Sequence, residues 1–288
     1  MKGIEERKII LNNDMQMPQV GFGCFMIENN EMEQIIRWAA EAGYRYFDAA
    51  TRYENEKGIG RGIKSCGVDR EELFIVDKIW PTCYDDPVAA IEYSFRELDV
   101  DYIDSYYLHW PSSSKKRRYK AWETILRYMD KGLIKSAGVS NFTQEQLEDL
   151  IREFGVVPVV NQIELHPWYP QKELCQYCYS KQIAITAWGP IFRGHISEAP
   201  LMYELGEKYN KSPAQITLRW HLQKGNIVIP KSSKQERIVE NRDLFDFALS
   251  KEDMNLINEL ECGRHFGSDP NTNDGSNFTI NISMKKGE

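Results

Sequence analysis

Four side chains that hold or move protons interrupt otherwise apolar segments of this 288-residue chain. Asp48 and Tyr53 lie in FDAATRYENE (47–56), Lys78 in VDKIW (76–80) and His109 in YYLHWP (106–111). Together they match one chemical need. A carbonyl that accepts hydride develops negative charge on oxygen and requires a proton donor. A tyrosine with its ordinary pKa of about 10 is too weak an acid at neutral pH. A neighbouring ammonium favours the phenolate and lowers that pKa. A carboxylate holds the ammonium in place, and a histidine beside the phenol can orient the carbonyl oxygen. Taken singly, each residue also reads as structure: Asp48 with Lys78 as an ion pair, His109 as a core histidine, Tyr53 as a loop residue.

Bringing positions 48, 53, 78 and 109 together requires elements that end at one place. Eight short β-rich runs alternate with amphipathic helices, at 19–23, 45–50, 73–79, 103–110, 135–140, 156–165, 183–189 and 227–232. Most are continuous apolar runs, as parallel strands covered by helices require. Eight βα units predict a closed (β/α)8 TIM barrel of the α/β class, a single domain over residues 1–288. Helix starts are legible at Thr143 with Gln146, at Ser212-Pro213 with Gln215, and at Ser250 with Asp253. The last of these opens a helix with Met254, Ile257 and Leu260 on one face. The segment 8–19 predicts an N-terminal β-hairpin with Asn12-Asn13-Asp14 as its turn, placed to plug the bottom of the barrel. The C-terminal stretch 263–288, rich in Gly, Asn, Ser and Asp, predicts a long loop that folds over the mouth or stays disordered.

In such a barrel the active site lies at the C-terminal strand ends. Asp48 ends the second run, Lys78 the third, His109 and Trp110 the fourth, and Ser140 and Asn141 the fifth. Gln162 stands in the sixth, Trp188 in the seventh, and Lys231 and Ser232 end the eighth. Buried charge gathered at one end needs partners and so points to function.

Composition narrows the classes. A net charge of −7 argues against a general nucleic-acid binder, since phosphate contacts need a basic surface. No apolar run reaches the roughly 20 residues of a membrane span, and the charged N-terminus has no signal-peptide run, so the expected location is cytoplasmic. The six cysteines form no framework; Cys175 and Cys178 make a CxxC inside a predicted helix, with no second pair to complete a zinc site. His195, His221 and His265 lack ligand-spaced partners, and His166 is expected to support the sixth strand's end, so no metal is expected. Gly58, Gly60 and Gly62 read as packing glycines within a helix, since no strand precedes them. The basic run 112–118 reads as a solvated loop.

With these segments in order, the chain resembles the aldo-keto reductases from about Ile9 to about Asp274, most closely short members such as the aldo-keto-type prostaglandin F synthases and the diketogluconate reductases. GVSNF (138–142), NQIELHP (161–167) and IPKSSKQERIVEN (229–241) resemble that family's cofactor segments, as the three proton-handling segments resemble its catalytic ones. The resemblance implies that Asp48, Tyr53, Lys78 and His109 form a catalytic tetrad with Tyr53 as proton donor, and that the cofactor is NADPH/NADP+. It implies that Ser140, Asn141 and Gln162 hold the nicotinamide carboxamide and that Trp188 stacks on the ring, where the family usually has tyrosine. Lys231, Ser232, Ser233 and Arg237 match the 2′-phosphate pocket, Lys234 adds a cation there, and Glu240 and Asn241 match adenine contacts. Gly23 and Cys24 at the first strand's end and Gly189 after the seventh are further cofactor candidates. The resemblance also implies a monomer acting on a small-molecule carbonyl, with a prostaglandin F synthase-like activity as one form of it.

Three features depart from the family pattern. Cys24-Phe25 stands where a tryptophan is frequent, which predicts a differently shaped mouth. With Trp80 and Trp110, Phe25 forms the expected aromatic substrate wall. Gly189 replaces a usual serine, and Phe192 and Arg193 replace small residues; Arg193 reads equally as a contact to the cofactor diphosphate or as an exposed loop arginine. The third is the short connection after His109. Two rival readings remain: a cofactor-binding scaffold or regulatory protein without turnover, which would bind NADP(H) yet oxidise it with no carbonyl, and a metal-dependent hydrolase, which a metal analysis would reveal.

Overall fold

The computed structural model describes residues 8–273 and Gly275. Strands β1 (Lys8–Ile10) and β2 (Gln16–Pro18) pair antiparallel, with Lys8 opposite Pro18. Asp14 takes a left-handed φ of 66° in the connecting turn, which the short polar side chain tolerates. Leu11 and Met17 from this hairpin bury themselves with Tyr46, Phe74, Val160 and Ile227, residues that begin their strands. The hairpin therefore closes the N-terminal end of the barrel, as expected.

The barrel strands are β3 (Phe22–Gly23), β4 (Tyr46–Asp48), β5 (Phe74–Ile79), β6 (Ser105–Leu108), β7 (Ala137–Ser140), β8 (Val160–Glu164), β9 (Ala184–Trp188) and β10 (Ile227–Val228). Consecutive strands pair in parallel from β3 to β10. A parallel bridge between Val20 and Val228 brings the first and last together. The flanking runs at this seam, 19–23 and 227–232, are longer in sequence than the regular strands they form. Single backbone bonds hold the remainder, Val228 N to Gln19 O and Gly23 N to Pro230 O, and Pro230 has no N–H to continue a ladder.

Alternation along each strand divides the interior into two layers. One face, including Val76, Tyr107 and Val160, fills the barrel. The other, including Ile75, Ile79, Tyr106 and Leu108, packs against the surrounding helices. Those helices are α1 (Asn29–Glu41), α2 (Glu56–Ser65), α3 (Pro87–Leu98), α4 (Lys115–Asp130), α5 (Gln144–Phe154), α6 (Lys172–Ser180), α7 (Pro200–Tyr209), α8 (Pro213–Gln223), α9 (Gln235–Glu240) and α10 (Lys251–Asn258). Thr143 and Ser212 form capping boxes with Gln146 and Gln215, and Ser250 accepts a bond from the Asp253 amide. Leu260 falls beyond the end of α10 and packs on the core from the following turn.

The basic run 112–118 is corrected by the structure. Ser114 caps α4, and Lys115 to Arg118 form its first turn. Cations are unfavourable at a helix N-terminus. Here carboxylates compensate them: Lys115 and Arg118 pair with Asp149 of α5, and Arg117 with Asp85. The cysteines are free, and Cys175 and Cys178 lie buried on α6.

The glycines of α2 let neighbouring backbones touch it. A Cβ on Gly58 would stand 2.3 Å from Asn29 O, and one on Gly60 2.3 Å from Leu98 O. Neither obstacle is a side chain that can swing away. Gly60→Ala is therefore expected to destabilise the fold by about 1–3 kcal/mol, despite the better helix propensity of alanine. Urea unfolding checks this; an unchanged or higher midpoint contradicts the packing assignment.

Candidate active site

Strand β4 delivers Asp48, and β5 delivers Lys78 on its barrel-facing side. Both are fully enclosed, at 1% and 0% exposure. A buried ammonium requires a full set of acceptors. Lys78 Nζ donates to Asp48 Oδ1 at 2.5 Å, to Ala49 O at 2.7 Å and to Tyr53 Oη at 3.3 Å. The other Asp48 oxygen accepts from Tyr46 Oη at 2.9 Å and Gln162 Nε2 at 2.7 Å. Tyr53 arrives on a single 3-10 turn after β4, pinned by Thr51 Oγ1, which donates to Lys78 O. His109 follows β6 and meets Tyr53 edge to face, with ring centroids 5.7 Å apart. Trp80 packs edge-on to the same imidazole at 5.0 Å.

Burial governs the protonation states. It pushes the Tyr53 phenol up to about 12, outweighing Lys78, which pulls it down. This corrects the expectation of a lowered value: the ammonium acts in the predicted direction but loses to desolvation. Burial, reinforced by Lys78 and Arg52, holds His109 well below the usual imidazole range, so the ring is neutral at pH 7. Burial opposes the Lys78 charge, yet Asp48 and Tyr53 more than restore it, and its pKa is raised.

Asp48, Tyr53 and His109 line a cleft of about 740 Å³, together with Gly23, Phe25, Trp80, Trp110, Ser140, Asn141, Gln162, Trp188, Gly189 and Lys231. Lys78 sits behind Tyr53 and Asp48. Phe25 packs on Tyr53 at 5.1 Å, and Trp80 and Trp110 line the same cleft. Ser140, Asn141, Gln162 and Trp188 make one network: Ser140 Oγ donates to Gln162 O, Asn141 Nδ2 to Ser140 Oγ and His109 O, and Trp188 Nε1 to Asn141 Oδ1 at 2.8 Å. Asn141 holds a left-handed φ of 63°, which turns its amide into this network.

Other expected positions fall away from the cleft floor. The Cys24 side chain is fully buried, away from the cleft surface. Ser232 Oγ accepts from the Lys234 amide, which opens α9; Ser233, Lys234 and Arg237 are exposed there, Glu240 is half-buried, and Asn241 is buried. Phe192 belongs to the core, 4.5 Å from Trp168. Arg193 arches over the rings of Phe25 and Trp188 at 5.8 and 5.6 Å and lines the mouth.

Sequence reasoning missed several contributors. Arg52 and Met26 line the cleft. Glu164 accepts the amides of Phe266 and Gly267 at 2.7 Å and lies 3.2 Å from His166 Nε2, which brings the C-terminal segment across the mouth. Trp80 Nε1 adds a bond to Gly275 O. The rest of the expected tail, Asp274 and 276–288, lies outside the described residues. Among the described residues no cluster of three His, Cys, Asp or Glu is arranged to hold a metal, and no helix is long and apolar enough to cross a membrane.

A barrel with this cluster at its C-terminal mouth defines a class of carbonyl-reducing oxidoreductases. Residues 19–261 match the model of the aldo/keto reductase family, and the chain belongs to that family. It is 44% identical to the glyoxal reductase of Bacillus subtilis (strain 168), over 90% of this chain and 95% of that one. It is 42% identical to the methylglyoxal reductase DkgA of Escherichia coli O157:H7, over 91% and 96%. A solved structure of a Gox0644 mutant in complex with NADPH superimposes with a TM-score of 0.89 at 36% identity, covering 93% of this chain and 99% of that one.

The raised phenol has a measurable consequence. A folded-state value of about 12, above the ordinary value of about 10, means stability from this group is intact below pH ~10 and is lost as pH rises towards 12. Ultraviolet titration of the protein without cofactor, compared with Tyr53→Phe, is expected to show the missing phenolate only near the alkaline end. A Tyr53 phenolate signal below pH ~9 contradicts the burial argument.

Proposed function

We propose that this chain reduces aldehydes and ketones to alcohols with NADPH, with Tyr53 as the general acid. The observation that carries the reading is the Tyr53 phenol in the cleft, 3.3 Å from the buried Lys78 ammonium and edge to face with His109. Tyr53 gives its proton to the carbonyl oxygen. Lys78 stabilises the phenolate left behind, and Asp48 keeps Lys78 charged and oriented. His109, neutral, orients the carbonyl oxygen beside Tyr53. NADPH, when bound, supplies the hydride.

The residues present fit that cofactor. Asn141 and Gln162 offer amides beside the cleft, and Trp188 offers a flat indole at its wall. The exposed cations Lys231, Lys234 and Arg237, with Ser232 and Ser233, suit the adenosine 2′-phosphate, and Glu240 and Asn241 the adenine. Gly23 and Gly189 line the cleft where the cofactor would lie; a Cβ on Gly23 would stand 2.8 Å from Ile229 O across the barrel seam, and Gly189 holds φ at 61°. Cys24 contributes backbone geometry there. In this reading Arg193, which lines the mouth, meets the cofactor diphosphate. Phe25, Trp80 and Trp110 favour flat or apolar carbonyls, and the relatives' names, glyoxal and methylglyoxal reductase, add small dicarbonyls to the candidate substrates. A prostaglandin F synthase-like activity is the narrower form of the reading; the protein is taken to act in the cytoplasm as a monomer.

Tyr53→Phe is expected to lower turnover by about 10²–10⁴-fold while the NADPH dissociation constant changes only a few-fold. NADPH oxidation against an aromatic aldehyde, methylglyoxal, a quinone and a prostaglandin endoperoxide measures the first, and fluorescence titration the second. Equal loss of both removes Tyr53 from the acid role. Lys234→Ala combined with Arg237→Ala is expected to weaken NADPH binding at least about tenfold more than NADH binding. Parallel losses for the two cofactors overturn the phosphate assignment.

A further inference from the structure

Immediately behind the site lies a pair of acids that the proton transfer does not use. Strand alternation turns Asp77 away from Lys78, into the layer between β5 and the helices. There its carboxyl meets that of Glu56, which opens α2 three residues after Tyr53. Both are buried, at 0% and 1% exposure. Glu56 Oε1 accepts from Ser94 Oγ at 2.9 Å, and Ser94 Oγ lies 3.0 Å from Tyr106 Oη. Asp77 Oδ1 accepts the Lys78 amide at 2.8 Å. The remaining oxygens, Glu56 Oε2 and Asp77 Oδ2, are buried without any hydrogen-bond donor among the described residues, as two facing carboxyl oxygens are when no proton is placed between them. Two carboxylates are both acceptors and cannot bond to each other unless one carries a proton.

We propose that Glu56 and Asp77 share a single proton and act as the positioning pair that fixes the Tyr53 turn against the Lys78 strand. The donors then run in one direction: Tyr106 Oη to Ser94, Ser94 to Glu56, protonated Glu56 to Asp77, with the Lys78 amide closing on Asp77 from the other side. Burial pushes Glu56 well above the usual carboxyl range, and raises Asp77 as well. The titratable groups facing the pair are Lys78 on β5, Glu97 and Tyr93 on α3, Tyr106 on β6, and Cys83 and Cys24 from neighbouring loops. Lys78 is the cation among them and is already held by Asp48, so the surroundings do not offset a second negative charge.

The sign of the pH dependence follows. The unfolded chain releases this proton near the ordinary carboxyl pKa, while the folded chain keeps it to higher pH. Stability from the pair is full below that ordinary value and declines as pH rises towards the folded-state value. Glu56→Gln replaces the shared O–H with an amide N–H and needs no proton. It is expected to flatten the decline of the melting temperature as pH rises above the ordinary carboxyl range and to remove a protonated-carboxyl band from the infrared spectrum. Identical pH dependence and an unchanged band overturn the shared proton, whatever the protein's activity. The positioning role rests on the reductase reading above. Glu56→Ala is expected to lower kcat by ~10–100-fold with the NADPH dissociation constant unchanged, and Glu56→Gln to restore kcat to within a few-fold. Should Glu56→Ala fail to fold, Asp77→Leu against Asp77→Asn gives the same comparison. Full kcat in the alanine or leucine variant, or equal losses in the amide variants, overturns the role. A wild type inactive on every carbonyl yet carrying the infrared band overturns the reductase reading and leaves the shared proton standing.

Discussion

The ammonium of Lys78 is the constraint around which this site is built. An ion withdrawn from water into a barrel costs several kcal/mol unless its partners are ideally placed. Here those partners come from separate elements: a carboxylate on β4, a carbonyl just after it, and a phenol on the next turn. Asp48 is in turn held by Tyr46 and by Gln162 on β8, across the barrel. A buried pair of this kind contributes little net stability. Its consequence is geometric, since each strand end must sit where the charge requires.

Burial that makes the ion pair expensive also sets the proton chemistry. The same desolvation that raises the Tyr53 phenol lowers the His109 imidazole, so two neutral groups face the cleft with a charge behind them. A phenol at about 12 is a poor spontaneous acid. It becomes useful when negative charge develops on a bound oxygen and Lys78 can stabilise the phenolate that results. The cation is thus arranged for the transition state rather than the resting state. The acid pair behind β5 extends the same logic by one layer, coupling the helix after Tyr53 to the strand that carries Lys78.

Much of this was legible in the sequence because barrels make strand ends readable. Apolar runs marked the strands, and Asp48, Lys78 and His109 broke them at one end. Capping signals at Thr143 and Ser212 located helices to the residue. The misread segment was 112–118, where local charge suggested solvent. Its compensating acid, Asp149, lies 31 residues past Arg118 and is invisible to a local reading. The sign of the Tyr53 shift was equally inaccessible, because burial is a property of the packed chain. Glu164 and the acid pair were missed for a related reason. Asp77 did carry a signal, a second polar residue next to Lys78 inside an apolar strand, and Glu56 follows Tyr53 closely. What the sequence could not supply was that they meet.

The most direct test of the account is the rate of hydride transfer in a single turnover with Lys78 replaced by Met, measured alongside NADPH affinity. Loss of at least about 10²-fold in the transfer rate, with NADPH affinity preserved to within a few-fold, is the result the account predicts. A transfer rate within a few-fold of wild type would contradict it, because the buried ammonium would then be structure alone.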